Sequence, residues 1–429
     1  MRGCFRVRRS SGRAKSFREG TRSALFIGSL LSVSVGALGQ TPARADLAIV
    51  DVRLYPGPGE APVDGANIAV RDGVIVAVGT GLPVEADTVL DGGGRAATAG
   101  LWNSHVHFTD PDLRGNEAEL IRDMLLRFGF TTVVDTGSEL RDTLALSRRI
   151  DTAEIPGPRI LLANGSFVYT DGTPSYLPGI ELPEIVSPEA AEPAVASVLD
   201  SGSHGIKIFS GSFQAERATI HLPAEIVQAI ADAAHARGSF VMSHPTDRTG
   251  LVNAVENGVD VLAHTAPSAG SLGADVIRTM IERKVAVIPT LTLWAFELMR
   301  AGVSEQEARA YQERGVAQLA VFHRAGGDVL FGTDVGYMDV FDTAEELVLM
   351  ERAGMSFDAI LASLTTSPST RFTAEPGRVT VGVPADIVLF TDDPADDVTA
   401  FARVHATIRG GRIVFRADVP PQFRRPPRY

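Results

Sequence analysis

Leu101-Trp102-Asn103-Ser104-His105-Val106-His107-Phe108 reads as a short apolar strand that runs out into two histidines. Side chains alternate along a strand, so positions i and i+2 share a face. His105 and His107 can therefore reach one cation together, although the pair alone reads equally as two polar residues at a strand end. From here to about residue 372, short apolar strands alternate with helical stretches. Eight strands are expected, ending near His107, Gly137, Ser166, Gly211, Pro245, Ala266, Leu293 and Gly336. Amphipathic runs at 117–128, 222–237 and 344–353 lie among them. Such alternation implies βαβ units and a parallel sheet, and eight units close a (β/α)8 TIM barrel, an α/β fold, over residues 97–372. In that barrel the active site lies at the C-terminal ends of the strands.

The flanks follow a different grammar. Residues 48–52, 67–70 and 74–78 are strand-like, and Asp72-Gly73 makes a two-residue hairpin turn. Residues 385–390, 406–409 and 412–415 repeat the pattern around Gly410-Gly411. Segments 46–96 and 373–429 are expected to build one small β-sandwich between them. Residues 1–45 stand apart, with nine Arg or Lys against one acid, Glu19. A mostly apolar run at 24–38 and small residues at Ala43-Arg44-Ala45 follow, which is the pattern of a cleaved export signal. The run is too short for a stable membrane span, and the mature chain is expected in the periplasm or outside the cell. Without this segment the formal charge falls from −12 to about −20, which disfavours nucleic acid and anionic membrane as partners. The one cysteine, Cys4, goes with it, so disulfides, thiolate ligands and a cysteine nucleophile are excluded. Any metal must rest on His, carboxylate or a modified Lys.

Four more residues fall at strand ends on the catalytic side or inside a strand. His244 closes Phe240-Val241-Met242-Ser243-His244, and His264 closes Val259-Asp260-Val261-Leu262-Ala263-His264. Either could be a core histidine, but adjacent βα units bring their heads together. Asp334 in Phe331-Gly332-Thr333-Asp334 ends the last strand, beside the His105/His107 pair in a closed barrel. It could hold a cation and accept a proton from an activated water, or simply cap the next helix. Lys207 in Gly205-Ile206-Lys207-Ile208-Phe209 lies in a strand too apolar for an ammonium. Burial favours its neutral amine, which can take up CO2 as a carbamate. An unmodified lysine reaching the rim is the plainer alternative.

The HVH, GIKIF, SHP and AHT stretches, the strand Val287-Ile288-Pro289-Thr290-Leu291 and FGTDVG resemble the amidohydrolase superfamily. The likeness is to the branch of imidazolonepropionase-like and prolidase-type hydrolases and covers nearly the whole mature chain. It implies that His105, His107 and Asp334 hold a more buried metal and that His244 and His264 hold a more exposed one. It also implies two divalent ions, zinc foremost, bridged by carboxylated Lys207. Asp334 would serve as the proton acceptor. The implied activity is hydrolysis of a C–N bond in a small or dipeptide-like substrate, by a dipeptidase or an N-acyl-amino-acid hydrolase. A lactone or cyclic-amide hydrolase and a one-metal deaminase are the alternatives, and Lys207 speaks against the deaminase. A non-catalytic scaffold would have lost ligands that are all here. Tyr169, His221, Arg248 and Tyr337 sit after strands on the catalytic side and are expected as substrate contacts. A homo-oligomer stays open.

Overall fold

The computed structural model describes residues 43–109 and 115–418. The export signal expected at 1–45 lies almost wholly outside the described residues. Among these, no helix is long and apolar enough to cross a membrane.

Strands from both ends of the chain share one eight-stranded sheet. Ala43–Leu54 is its hub, antiparallel to Val63–Arg71 and parallel to Val84–Asp91 and Ala96–Ala99. Ala96–Ala99 then pairs with Ile387–Phe390, setting Ala97 opposite Leu389, and the hairpin Val404–Arg409/Arg412–Arg416 completes that side. The expected turns take the left-handed geometry a two-residue hairpin requires: φ is 50° and 76° at Asp72-Gly73 and 53° and 73° at Gly410-Gly411. Ile49, Ile68, Leu90, Ile387, Leu389 and Ile408 form a separate apolar core in this sheet.

Only Gly100 separates Ala96–Ala99 from the first barrel strand, Leu101–Val106. An added Cβ at Gly100 would fall on the Thr131 side chain, so the crossing from sheet to barrel needs a glycine. Seven parallel strands follow in spatial order: Leu101–Val106, Phe130–Asp135, Arg159–Phe167, Gly205–Phe209, Phe240–His244, Val261–Ala263 and Ala286–Ile288. The eighth expected strand, ending near Gly336, is a ladder of single bridges. Val329 pairs with Val287 and Val335 with Val106, supported by Ser104 N–H to Phe331 O (2.7 Å) and His107 N–H to Val335 O (2.8 Å). Its irregularity has a local cause, φ of 62° at Asp334 and 96° at Gly336.

The strand expected to end near Leu293 stops instead at Ile288. Pro289 has no N–H for the ladder, Thr290 takes φ 42°, and a helix starts at Leu291 (Leu291–Arg300). The amphipathic runs do form helices. Ala224–Ala236, for example, buries Ile226, Val227, Ile230, Ala231 and Ala234 on one stripe. Inside the barrel, Trp102, Val134, Leu161, Met242, Val261 and Leu330 make a packed apolar floor.

Candidate metal centre

That floor should turn Ser104 and Val106 inward by strict alternation from Trp102, yet Val106 belongs to the outer core. A register shift between Asn103 and Val106 resolves the conflict. Asn103 Oδ1 accepts the His105 N–H at 3.2 Å and its amide donates to Thr333 Oγ1 at 2.7 Å. The kink turns His105 and His107 toward Asp334. His105 Nε2 stands 3.2 Å and His107 Nε2 2.9 Å from Asp334 Oδ1. His264 Nε2 approaches Asp334 Oδ2 at 4.0 Å, and its ring centroid lies 4.7 Å from His105 and 4.8 Å from His244. Five of the six residues expected to hold metal thus converge at one end of the barrel. Lys207, 2% exposed, lies one strand over, paired in register with Met242 and acting electrostatically on His105, His244 and His264.

A cation fits this donor set. His105, His107 and Asp334 offer three ligand atoms within 4.8 Å of one another. Asp334 Oδ1 is buried and makes no hydrogen bond, although two imidazole nitrogens point at it. A buried carboxylate oxygen left this way calls for an ion between the partners. His264 Nδ1 engages Thr290 Oγ1 at 2.5 Å, which leaves Nε2 free to ligate. Burial pushes His105 down to about 4 and His244 to about 3, and holds His264 well below its ordinary value. The imidazoles are therefore neutral, the form that binds metal. Burial opposes the charge on Asp334, but His105 and His107 outweigh it and keep the carboxyl far below the usual range. Burial also pushes the Lys207 amine down to about 8.

These shifts set an acid limit on the metal-free protein. An imidazole whose native value lies below the unfolded 6.5 takes up protons more readily after unfolding. Its contribution is fully present above pH 6.5 and is lost as pH falls toward 4 and below. The gap between 6.5 and about 4 at His105 is worth on the order of 3 kcal/mol. Urea melts of metal-stripped protein should show stability falling steeply between pH 6.5 and 4; a flat profile would refute neutral burial.

Of the rim candidates, Tyr337 alone makes ring contact with a metal-site histidine, 6.4 Å from His107, and Arg300 Nη2 donates to its hydroxyl at 2.6 Å. His221 is taken up by Asp247 at 2.9 Å, next to the Pro245 turn. Arg248 is exposed and donates to the Ser271 carbonyl. Tyr169 packs half-buried against the outer core. Three residues that sequence reading passed over enclose the centre. Tyr176 lies 6.2 Å from His244 and 5.9 Å from Tyr337, and Trp294 lies 5.9 Å from His264. Asp135 is fully buried, with Oδ2 lacking a hydrogen bond. Asp135 could have been found, since it ends its strand as His244 does; an aromatic on a loop, as Tyr176, or on a helix, as Trp294, carries no such signal.

Comparison with known proteins agrees. A solved Xaa-Pro dipeptidase with methionine in its active site superposes with a TM-score of 0.76 at 20% identity, over 86% of this chain and 100% of that one. A putative prolidase from Bifidobacterium longum gives 0.74 at 26% identity, over 88% and 96%. An L-hydantoinase of Paenarthrobacter aurescens is 28% identical over 138 residues, 32% of this chain and 29% of its own. Residues 96–414 match the Amidohydrolase family. The chain belongs to that family and is a metal-dependent hydrolase.

Proposed function

We propose that this enzyme cleaves a C–N bond in a small amide or peptide-like substrate, a dipeptide or N-acyl amino acid, using two divalent metals, zinc foremost. The observation that carries the two-metal reading is Lys207. Its amine is buried, acts electrostatically on three imidazoles and on Asp334 and Asp135, and forms no ion pair among the described residues. His244 and His264 need a third donor for a cation of their own. Addition of CO2 to the neutral amine, with release of one proton, would supply carboxylate oxygens there.

Bound divalent metal lowers the pKa of water and polarises a scissile carbonyl. Each residue here has a matching task. Asp334, ionised among the histidines, accepts the proton of the attacking water and passes it to the leaving nitrogen. His105, His244 and His264 remain neutral and, with His107, would hold the cations. Tyr176, Tyr337 and Trp294 wall the centre and limit entry of bulk water. Export directed by residues 1–45 belongs to the same proposal and is tested by N-terminal sequencing of the mature chain. The decisive test is metal analysis with a screen of dipeptides and N-acyl amino acids. About two metals per chain are expected, falling to about one in Lys207→Ala with activity down about 100-fold. One metal and full activity in that variant would overturn the bridging role.

A further inference from the structure

Thr290 occupies the N-cap of the helix Leu291–Arg300, where a threonine hydroxyl ordinarily accepts from the helix's own first N–H groups. Here it makes no such bond, because its Oγ1 is turned to His264 Nδ1. The cap comes from elsewhere. Glu346, 1% exposed on the helix Ala344–Arg352, accepts Leu291 N–H on Oε1 and Thr292 N–H and Thr292 Oγ1–H on Oε2, all at 2.8 Å. Thr290 itself sits at φ 42°, ψ 52°, left-handed geometry that is strained for a β-branched residue.

We propose that Glu346 is a positioning residue for His264: by capping the helix in place of Thr290, it frees the threonine hydroxyl to fix the imidazole. The inference rests on the metal centre proposed above. Three observations support the division of labour. A carboxylate beside a helix N-terminus meets the positive end of the dipole and the unsatisfied N–H groups together. Its bonds to the two residues after Thr290 hold the turn in a conformation that local sequence disfavours. The contact from Oγ1 lets His264 Nδ1 carry the proton, which leaves Nε2 with the lone pair on the metal side. Burial pushes the Glu346 carboxyl up to about 7, so its capping form is full only in mildly alkaline solution.

The test is zinc affinity at pH 8, read by competition with a chromophoric chelator, together with thermal melts. Glu346→Gln keeps the side-chain volume, and Thr290→Ala removes the hydroxyl without touching the carboxylate. Each should weaken the looser of the two zinc ions by about 10- to 100-fold. The double variant should be no worse than the worse single one, because both act on one contact. A purely structural Glu346 would lower the melting temperature and leave affinity unmoved. Affinity within about twofold of wild type in Glu346→Gln, or fully additive losses in the double variant, would overturn the role. A wild-type chain that takes up no zinc would sink the metal centre and this role with it. A zinc-loaded enzyme indifferent to Glu346→Gln would sink this role alone.

Discussion

Asp334→Asn should lower kcat/KM by about 1,000-fold or more. The substitution is isosteric and preserves Asp334 N–H to His105 O (2.9 Å) and the Asp334 carbonyl that accepts from Met338 N–H (3.0 Å), so the turn should survive. Two functions are removed together. A neutral amide offers His105 and His107 a weaker companion for a cation, and it cannot take the proton of an attacking water. Loss of charge also removes the electrostatic partner of buried His105 and half-buried His107. Kinetics on the best substrate from the screen, with metal content on the same preparation, would separate the two losses. A variant that keeps its metal and more than a tenth of its activity would show that the proton goes elsewhere.

Gly336→Ala should be the most damaging single-methyl change in the barrel, costing about 4 kcal/mol or more. Gly336 sits at φ 96°, where an L side chain is strained whatever the space. Its added Cβ would also overlap the carbonyl oxygen of His107 and stand 2.7 Å from that carbonyl carbon. Relief requires moving either His107 or the Asp334–Gly336 turn, and His107 N–H to Val335 O ties the two together. Denaturant unfolding and zinc content should therefore fall in step. An alanine variant with wild-type stability and metal content would mean that this close approach relaxes at little cost.

How far the sequence could be read follows from which interactions are local. Strand alternation and glycine turns are local, so strands at both termini, the barrel and the strand-end positions of His244 and Asp334 were legible. Where a distant group decides, reading failed. Val287-Ile288-Pro289-Thr290-Leu291 looks like a continuous strand, but Thr290 turns left-handed because Glu346, 56 residues on, caps the helix that follows. His105 and His107 both reach Asp334, but not by simple alternation: the kink rests partly on Asn103, whose amide reaches Thr333 across the ring. Tyr176 and Trp294 come to the centre by loop and helix paths that no periodicity encodes. Arg248 and His221 illustrate the converse: both lie on the expected side, and local partners engage them.

The pairing of Ala96–Ala99 with Ile387–Phe390 has a consequence for biogenesis. During synthesis the amino-terminal strands emerge long before the partner that must cover their open edge. Until the whole barrel has left the ribosome, that edge offers unpaired amide and carbonyl groups to any neighbouring nascent chain.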